Sequence, residues 1–188
     1  MKLKGIKILG VLLIVALVVC MTCATAFAST SVSIYLNNNA TPLATYTTTQ
    51  LQNNFTNYVK TYSSYNCSGG TYKYYDAEGP LLEDVATAAL SGSGTSFSQI
   101  NHIRFYATAD GYDTGQISKS AVMNGYYFAN PSSPGVTVAP VIARLYGNRG
   151  GARSSTNCLR NFYGQASAGE DTMSKWVKNL DKIYLYTS

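Results

Sequence analysis

The sequence predicts an α+β fold, a single domain in which strands dominate and a few short helices interrupt them. Apolar residues alternate with polar ones in several short runs, most clearly at Ile103, Phe105 and Ala107, as in a strand with one buried face. A stretch with helical period opens at Pro80. The 188-residue chain, less its first 28 residues, leaves 160, which is enough for one domain with a substantial core.

Residues 1–28 have the pattern of a signal peptide. Three lysines in the first seven residues precede an apolar run, and Ala26-Phe27-Ala28 matches a small-residue cleavage site before Ser29. An uncleaved membrane anchor is the alternative, because the apolar run is long enough to span a bilayer. No twin arginine is present, which favours export of an unfolded chain. We therefore expect residues 29–188 to form a secreted or cell-surface domain that meets a membrane only during export.

The charge of the domain argues against a nucleic-acid ligand. Without the three lysines of the signal, eleven basic and nine acidic residues remain, a net charge of +2 with no basic patch. Tyrosine is abundant instead, and all 16 tyrosines follow residue 28. Tyrosine combines an apolar ring with a polar hydroxyl, so this richness suits a binding surface, although simple strand propensity explains it equally well.

The first elements lie before residue 77. Period-two alternation predicts an opening strand with Val32, Ile34 and Leu36 facing inward. Thr48 or Thr49 is suited to cap a short helix that ends near Phe55. The strands predicted in this part are 31–36, 58–66 and 71–76, and the last two form a hairpin around a glycine pair.

The central unit is a helix, a flexible connector, the buried strand and a tight turn. Pro80 suits the first turn of the helix, where a backbone N–H has no partner. Gly92 and Gly94 are expected to end it, because glycine readily adopts a positive φ. Asp110-Gly111-Tyr112 predicts a turn after the strand. The helix is expected to bury one face, formed by Leu81, Leu82, Val85, Ala88 and Ala89.

The remaining elements are short. A helical turn is predicted at 118–124, and Pro140 is expected to interrupt the strand that contains it. A glycine-rich basic loop at 148–157 separates two strands. The strands predicted in this part are 126–129, 136–146, 159–163 and 177–186.

Two cysteines, Cys67 and Cys158, remain after removal of the signal. In an exported protein they form a candidate disulfide, although two separate thiols are equally compatible with the sequence. His102 is the only histidine, and with no second histidine or serine elbow we expect a hydrogen-bonded structural role. The segment that begins at Arg149 offers backbone N–H groups and two guanidinium groups to an anion, but a solvated basic loop is the simpler interpretation.

Four short motifs, in a fixed order, resemble one known family. They are Gly79-Pro80-Leu81-Leu82, Asp110-Gly111-Tyr112, Leu159-Arg160, and Val177-Lys178 before Ile183. In this order the chain resembles the oxidoreductase molybdopterin-binding domain of the sulfite oxidase type, over about 110 residues counted from Cys67. It is most similar to exported, cofactor-poor members from Gram-positive bacteria, which share Phe162-Tyr163-Gly164-Gln165 after the arginine.

The resemblance implies roles for three residues. Cys67 corresponds to the cysteine whose thiolate binds molybdenum, a metal for which thiolate is a suitable ligand. Arg160 and Lys178 correspond to positions that hold the phosphate of the pterin. Asp110 and Tyr112 are expected nearby. However, Ser68-Gly69-Gly70 follows Cys67 where catalytic members have Asn-Arg, and a chain exported unfolded cannot carry a cofactor that is inserted in the cytoplasm.

The sequence therefore predicts an extracellular binding module that keeps the fold of this family and holds no cofactor. Its ligand is expected to be a protein or a glycan, bound through tyrosine-rich surface near the ancestral cleft. The alternative is a molybdopterin-dependent oxidoreductase with Cys67 as the molybdenum ligand. A purely structural envelope protein is a third interpretation.

Overall fold

The computed structural model describes residues 30–66, 69–154 and 158–188, and strands dominate this part of the chain. The predicted strand-dominated fold with a few short helices is confirmed. The predicted signal peptide and Cys67 lie outside the described residues. Among the residues that are described, no helix combines the length and the apolar character needed to cross a bilayer.

The helices are short and the strands are numerous. The helices in the described residues are α1 (Thr48–Asn53), α2 (Leu82–Leu90) and α3 (Lys119–Met123). The strands are β1 (Ser31–Leu36), β2 (Ala44–Thr47), β3 (Asn57–Asn66), β4 (Thr71–Pro80), β5 (His102–Ala107), β6 (Tyr112–Asp113), β7 (Ile117–Ser118), β8 (Tyr126–Tyr127), β9 (Val136–Thr137), β10 (Val141–Ala143), β11 (Leu145–Asn148), β12 (Arg160–Phe162) and β13 (Lys182–Tyr186).

The largest sheet has the strand order β2-β1-β13-β5-β6, with β7 also paired to β5. Strands β1 and β13 are parallel, and the other neighbours are antiparallel. Alternation of side chains gives this sheet one buried face, as the sequence predicts for β1 and β5. The buried face carries Val32, Ile34, Ile103, Phe105, Ala107, Ile183 and Leu185.

A second sheet is built on a long hairpin. Strands β3 and β4 have ten residues each and pair along their whole length, and β11 adds to the other edge of β4. The hairpin prediction is confirmed, but β4 continues four residues beyond residue 76. The predicted strand 136–146 is divided into β9, β10 and β11, with Pro140 before β10, and β10 pairs with β12.

The prediction that Pro80 begins the helix is wrong. Pro80 is the last residue of β4, and α2 begins at Leu82. The cause is a non-local contact: Leu81 forms a bridge with Val141, and the N–H of Leu82 donates to the carbonyl oxygen of Pro140 at 3.0 Å. The backbone therefore stays extended until residue 81, where the sequence alone suggests a helical turn.

The buried face of α2 also differs from the prediction at several positions. Leu82, Val85 and Ala89 are buried as expected, but Ala86 is buried and Ala88 is exposed. Starting the helix later leaves Leu81 outside it, so the face is set by the remaining residues. After the helix, Gly92 and Gly94 have φ of 82° and 77°, as expected for glycines that reverse the chain.

The last strand is shorter than predicted. Strand β13 begins at Lys182, and not at Val177. The N–H of Val177 donates to the side-chain oxygen of Asn161 at 2.6 Å, and Asn179 has a φ of 56°, so this segment cannot join a regular ladder. The segment 174–179 instead crosses the end of β12, where Lys178 forms a bridge with Arg160.

Candidate functional site

Four residues expected near a cofactor cleft lie around the segment 174–179. Lys178 is paired with Arg160 in an isolated bridge. The side chain of Asn179 donates to the carboxylate of Asp110 at 2.9 Å, and the hydroxyl of Tyr112 donates to the carbonyl oxygen of Ser174. The structure therefore brings Arg160, Lys178, Asp110 and Tyr112 to one region.

The side chain of Arg160 is engaged in packing. Its Nε donates to the carbonyl oxygen of Trp176 at 3.1 Å, and its guanidinium lies 5.5 Å from the ring centres of both Tyr146 and Phe162. A half-buried guanidinium between two rings stabilises the protein through cation–π contact. The rings cover the face of the guanidinium, whereas a phosphate binds to the N–H donors at its edge, of which Nε is already used by Trp176. A role in cofactor binding stays a prediction.

The cysteine predictions also stay open. Cys67 lies outside the described residues, so neither its metal-ligand role nor its pairing with Cys158 is tested. Cys158 is buried at the start of the segment that leads into β12, and its Sγ lies 3.4 Å from the hydroxyl oxygen of Tyr146. Within the described residues no three His, Cys, Asp or Glu side chains form a metal-binding group.

A row of aromatic rings lies along the hairpin formed by β3 and β4. We call Tyr65, Tyr72, Tyr74 and Tyr127 the tyrosine row. Successive ring centres are 5.5 Å apart for the first pair, 5.9 Å for the second and 6.2 Å for the third. All four side chains are half-buried, so each ring is supported from behind and keeps part of its surface exposed.

Strand geometry explains why these rings line up. Tyr65 is the cross-strand partner of Tyr72, and Tyr74 lies two residues further along β4, on the same face. Tyr127 comes from β8, which packs beside β3. The sequence carries a signal for this pairing, since a hairpin around Gly69-Gly70 places Tyr65 opposite Tyr72.

Hydrogen bonds fix the orientation of three of the rings. The hydroxyl of Tyr72 donates to the carbonyl oxygen of Ala168, and that of Tyr74 donates to the carbonyl oxygen of Ala129. The hydroxyl of Tyr127 accepts a hydrogen bond of 2.7 Å from Nη1 of Arg149. Burial raises the pKa of Tyr72 and of Tyr74, with the neighbouring tyrosines adding to the effect, so both phenols are neutral at physiological pH.

Arg149 closes the row at one end. Its guanidinium lies 5.8 Å from the ring centre of Tyr74 and 5.7 Å from that of Tyr127. The loop holds it there, because the N–H of Arg149 donates to the carbonyl oxygen of Tyr74 and that of Gly150 donates to Asp76. A shallow groove of about 630 Å³ adjoins this end, lined by Lys73, Tyr74, Tyr75, Asn148 and Arg149.

Another aromatic surface covers the outer face of the large sheet. Tyr35 and Tyr184 stack with ring centres 4.8 Å apart, and Arg104 lies 5.2 Å from the ring centre of Tyr184. Arg104 is held by two hydrogen bonds to Asp113, of 2.8 and 2.5 Å, so its charge is already compensated. His102 lies on the same face, and its Nδ1 is buried without a hydrogen-bond partner in the described residues.

Comparison with known proteins adds no assignment. No protein-family model matches the chain, and no curated protein matches it. The resemblance to the molybdopterin-binding domain of the sulfite oxidase type therefore stays a prediction. The tyrosine row and the groove beside Arg149 form the candidate site that the described residues define most clearly.

Proposed function

We propose that the chain is an exported binding module on a sulfite-oxidase-type scaffold without a cofactor, and that it binds a glycan along the tyrosine row. The observation that carries the proposal is the row itself: four half-buried rings at successive distances of 5.5, 5.9 and 6.2 Å. A repeating row of similar groups suits a repeating ligand. The localisation outside the cell rests on the signal-peptide pattern of residues 1–28.

The chemistry of the row and its groove favours a sugar chain over a protein surface. A pyranose ring presents C–H groups on its faces and hydroxyl groups around its edge. Tyrosine rings offer flat apolar surface to those faces, and Lys73, Asn148 and Arg149 offer hydrogen-bond donors to the hydroxyl groups. A stable protein partner needs a broad interface of about 800 Å² on each side, whereas the row is a narrow strip with a polar border.

The row is also rigid before a ligand arrives. Tyr72, Tyr74 and Tyr127 are each tied by a hydrogen bond at the hydroxyl, so their rings keep one orientation. Binding to side chains that are already fixed loses little conformational entropy. A weak contact with each sugar can therefore add up to useful affinity along a chain.

Affinity electrophoresis through gels that contain soluble polysaccharides tests the proposal. We expect at least one polysaccharide to retard the protein, and Tyr65→Leu and Tyr74→Leu each to weaken retardation about fivefold because a planar ring is lost. Tyr74→Phe keeps the ring but loses the hydrogen bond to Ala129, so we expect it to weaken retardation less than Tyr74→Leu. Tyr58→Leu is the matched control, since Tyr58 is exposed on β3 at a distance from the row.

Two outcomes would overturn the proposal. Equal retardation of the wild-type protein and both leucine variants would place the binding elsewhere on the protein. Capture of a protein partner whose binding depends on the row would show that the ligand is a protein and not a glycan.

The alternative function, a molybdopterin-dependent oxidoreductase, has its own test. Stoichiometric molybdenum in protein purified from its own host, lost in Cys67→Ser, would replace the binding module by that enzyme.

A further inference from the structure

We propose that the glycan bound by the tyrosine row is acidic, with carboxylate groups on its sugars, and that Arg149 binds one of these carboxylates. This inference rests on the proposed function, since it concerns the same row. Beyond the proposed function, the inference specifies the charge of the ligand, the residue that binds the charged group, and the end of the row at which it binds.

The first argument is an account of the cations. Arg104, Arg144, Arg153 and Lys175 each have a carboxylate within 3.4 Å. Of the eleven cationic side chains in residues 30–188, seven form no ion pair with a described residue, and two of these seven, Lys73 and Arg149, line the groove together. Both side chains are exposed. The groove therefore presents two positive charges that the described part of the chain does not neutralise.

The second argument is the geometry of Arg149. Its guanidinium lies beside the rings of Tyr74 and Tyr127, and Nη1 donates to the hydroxyl of Tyr127. These contacts fix the plane of the group. A guanidinium has five N–H donors, so the edge that points away from Tyr127 keeps donors for a ligand. A fixed planar edge is suited to a carboxylate, which it can bind with two parallel hydrogen bonds.

The third argument is that the carboxylate of Asp76, which is bound to the loop that carries Arg149, is occupied by other donors. Asp76 accepts the hydroxyl of Thr61 at 2.7 Å with Oδ1 and the N–H of Gly150 at 3.0 Å with Oδ2. Asp76 thus holds the loop that carries Arg149, without pairing with its guanidinium. The role of Asp76 is to position Arg149, and the guanidinium keeps its donors for an external anion.

The charges also give the row a direction. At the Tyr65 end the N–H of Tyr65 donates to the carbonyl oxygen of Glu170, whose carboxylate is paired with Lys175 at 3.1 Å. The neighbouring Asp171 carboxylate, which accepts the hydroxyl of Ser64, forms no ion pair with a described residue, so that end carries no excess positive charge, whereas the Tyr127 end carries the unneutralised Arg149. An acidic chain should therefore place a carboxylate at the Tyr127 end, with neighbouring sugars over the other rings.

Two polysaccharides with the same backbone separate charge from shape. The probes are polygalacturonate and its fully methyl-esterified form, in which every carboxylate is blocked. We expect the purified full chain to bind polygalacturonate about tenfold more tightly than the ester at 0.15 M salt, because charge-assisted hydrogen bonds are stronger than neutral ones. The preference should fall as salt increases.

Charge variants assign the preference to Arg149. Arg149→Gln should reduce the ratio of the two affinities to about one, and Arg149→Lys, which keeps the charge but loses the fork, should reduce it partly. Lys60→Gln is the matched control, because Lys60 lies over the ring of Tyr58, outside the row and the groove. It should leave the ratio unchanged. Thermal unfolding of each variant checks that the fold is intact.

The outcomes distinguish this inference from the proposed function. Equal binding of both polysaccharides, with both affinities reduced in Tyr74→Leu, would overturn the acidic ligand and leave the glycan-binding module standing. A preference for polygalacturonate that persists in Arg149→Gln, or that falls equally in Lys60→Gln, would show general attraction by net charge and overturn the role of Arg149. Failure to bind either probe or any other polysaccharide would overturn both.

Discussion

Gly79 lies where β4 passes directly against β10. A Cβ atom at this position would be 2.0 Å from the carbonyl oxygen of Ile142 and 2.8 Å from its carbonyl carbon. These are backbone atoms, which cannot rotate away as a side chain can. We therefore expect Gly79→Ala to lower the free energy of unfolding by about 2 kcal/mol or more, measured by urea denaturation.

Gly169→Ala is the control for that change. Nothing lies within 4 Å of a Cβ at Gly169, and its φ is not positive, so we expect a change within about 0.5 kcal/mol. Similar effects of the two substitutions would contradict the close approach of β4 and β10. Gly79 belongs to the motif that supports the family resemblance. The need for a glycine at this position is explained by the close approach of the Ile142 backbone.

The ion pair between Arg104 and Asp113 predicts a pH dependence. The hydrogen bonds from Arg104 lower the pKa of the Asp113 carboxyl below its usual value. A carboxyl whose pKa is lower in the folded state contributes stability above its unfolded pKa of about 3.9, and that contribution is lost as the pH falls through the folded value. The pair is about one-third exposed, so we expect a modest effect.

Thermal unfolding at two pH values measures this contribution. Asp113→Asn should lower the melting temperature relative to the wild-type protein at pH 7. At pH 2.5, which is below the unfolded pKa, the difference should shrink, because the contribution of the carboxylate is lost progressively as the pH falls towards the folded pKa. A difference of the same size at both pH values would assign the effect to packing and contradict the electrostatic explanation.

At the scale of single elements, α1 shows which threonine begins a helix. The sequence favours Thr48 or Thr49, but Thr47 is the N-cap: its hydroxyl accepts the N–H of Gln50 at 3.2 Å, and the Gln50 side chain accepts the N–H of Thr47 at 2.8 Å. We expect Thr47→Ala to cost about 1 kcal/mol in the free energy of unfolding. Thr49→Ala, on the exposed side of the helix, should change it by less than half as much.

Thr47→Ala and Thr49→Ala are closely matched, since both remove the same atoms within three residues of sequence. An equal loss of stability in the two variants would show that the capping box contributes nothing. A larger loss of stability in Thr49→Ala would identify Thr49 as the N-cap, as the sequence suggests. Urea denaturation of both proteins under one set of conditions decides between these outcomes.

Elements with a clear local period could be predicted, and their ends could not. The alternation at Ile103 and Phe105 correctly indicates a strand with one buried face, because the period of side chains depends only on neighbouring residues. The ends near Pro80 and Val177 depend on hydrogen bonds to Pro140 and Asn161, which are distant in sequence. No local pattern carries that information.

At the scale of the whole molecule, the candidate site likewise combines features that the sequence indicates with contacts that it does not. The sequence indicates that tyrosine is abundant and that the loop at Arg149 is basic, and both features belong to the site. Their meeting depends on β8 packing beside the hairpin, which brings Tyr127 to Tyr74 across more than fifty residues of chain. The contact of Arg160 with Tyr146 and Phe162 is non-local in the same way, so a phosphate-binding arginine and a packed one look alike in sequence.

A disulfide between Cys67 and Cys158 remains the largest untested constraint on the whole chain. It would close a loop of about 90 residues and stabilise the folded state by about 4 kcal/mol, by restricting the unfolded chain. We expect thiol titration of the mature protein, unfolded without reductant, to find no thiol. Reduction should lower the midpoint of urea denaturation in the wild-type protein and leave Cys67→Ser unaffected.

Two reactive thiols in that titration would reject the bridge and leave Cys67 available for other chemistry. The same measurement therefore bears on function, because a sulfur atom in a disulfide is not the thiolate that a metal centre requires. If residues 1–28 are removed during export, as we propose, Cys67 and Cys158 are the two cysteines that remain, and oxidising conditions outside the cytoplasm would favour their pairing. An intact bridge would thus exclude Cys67 as a molybdenum ligand and favour a binding module over an oxidoreductase.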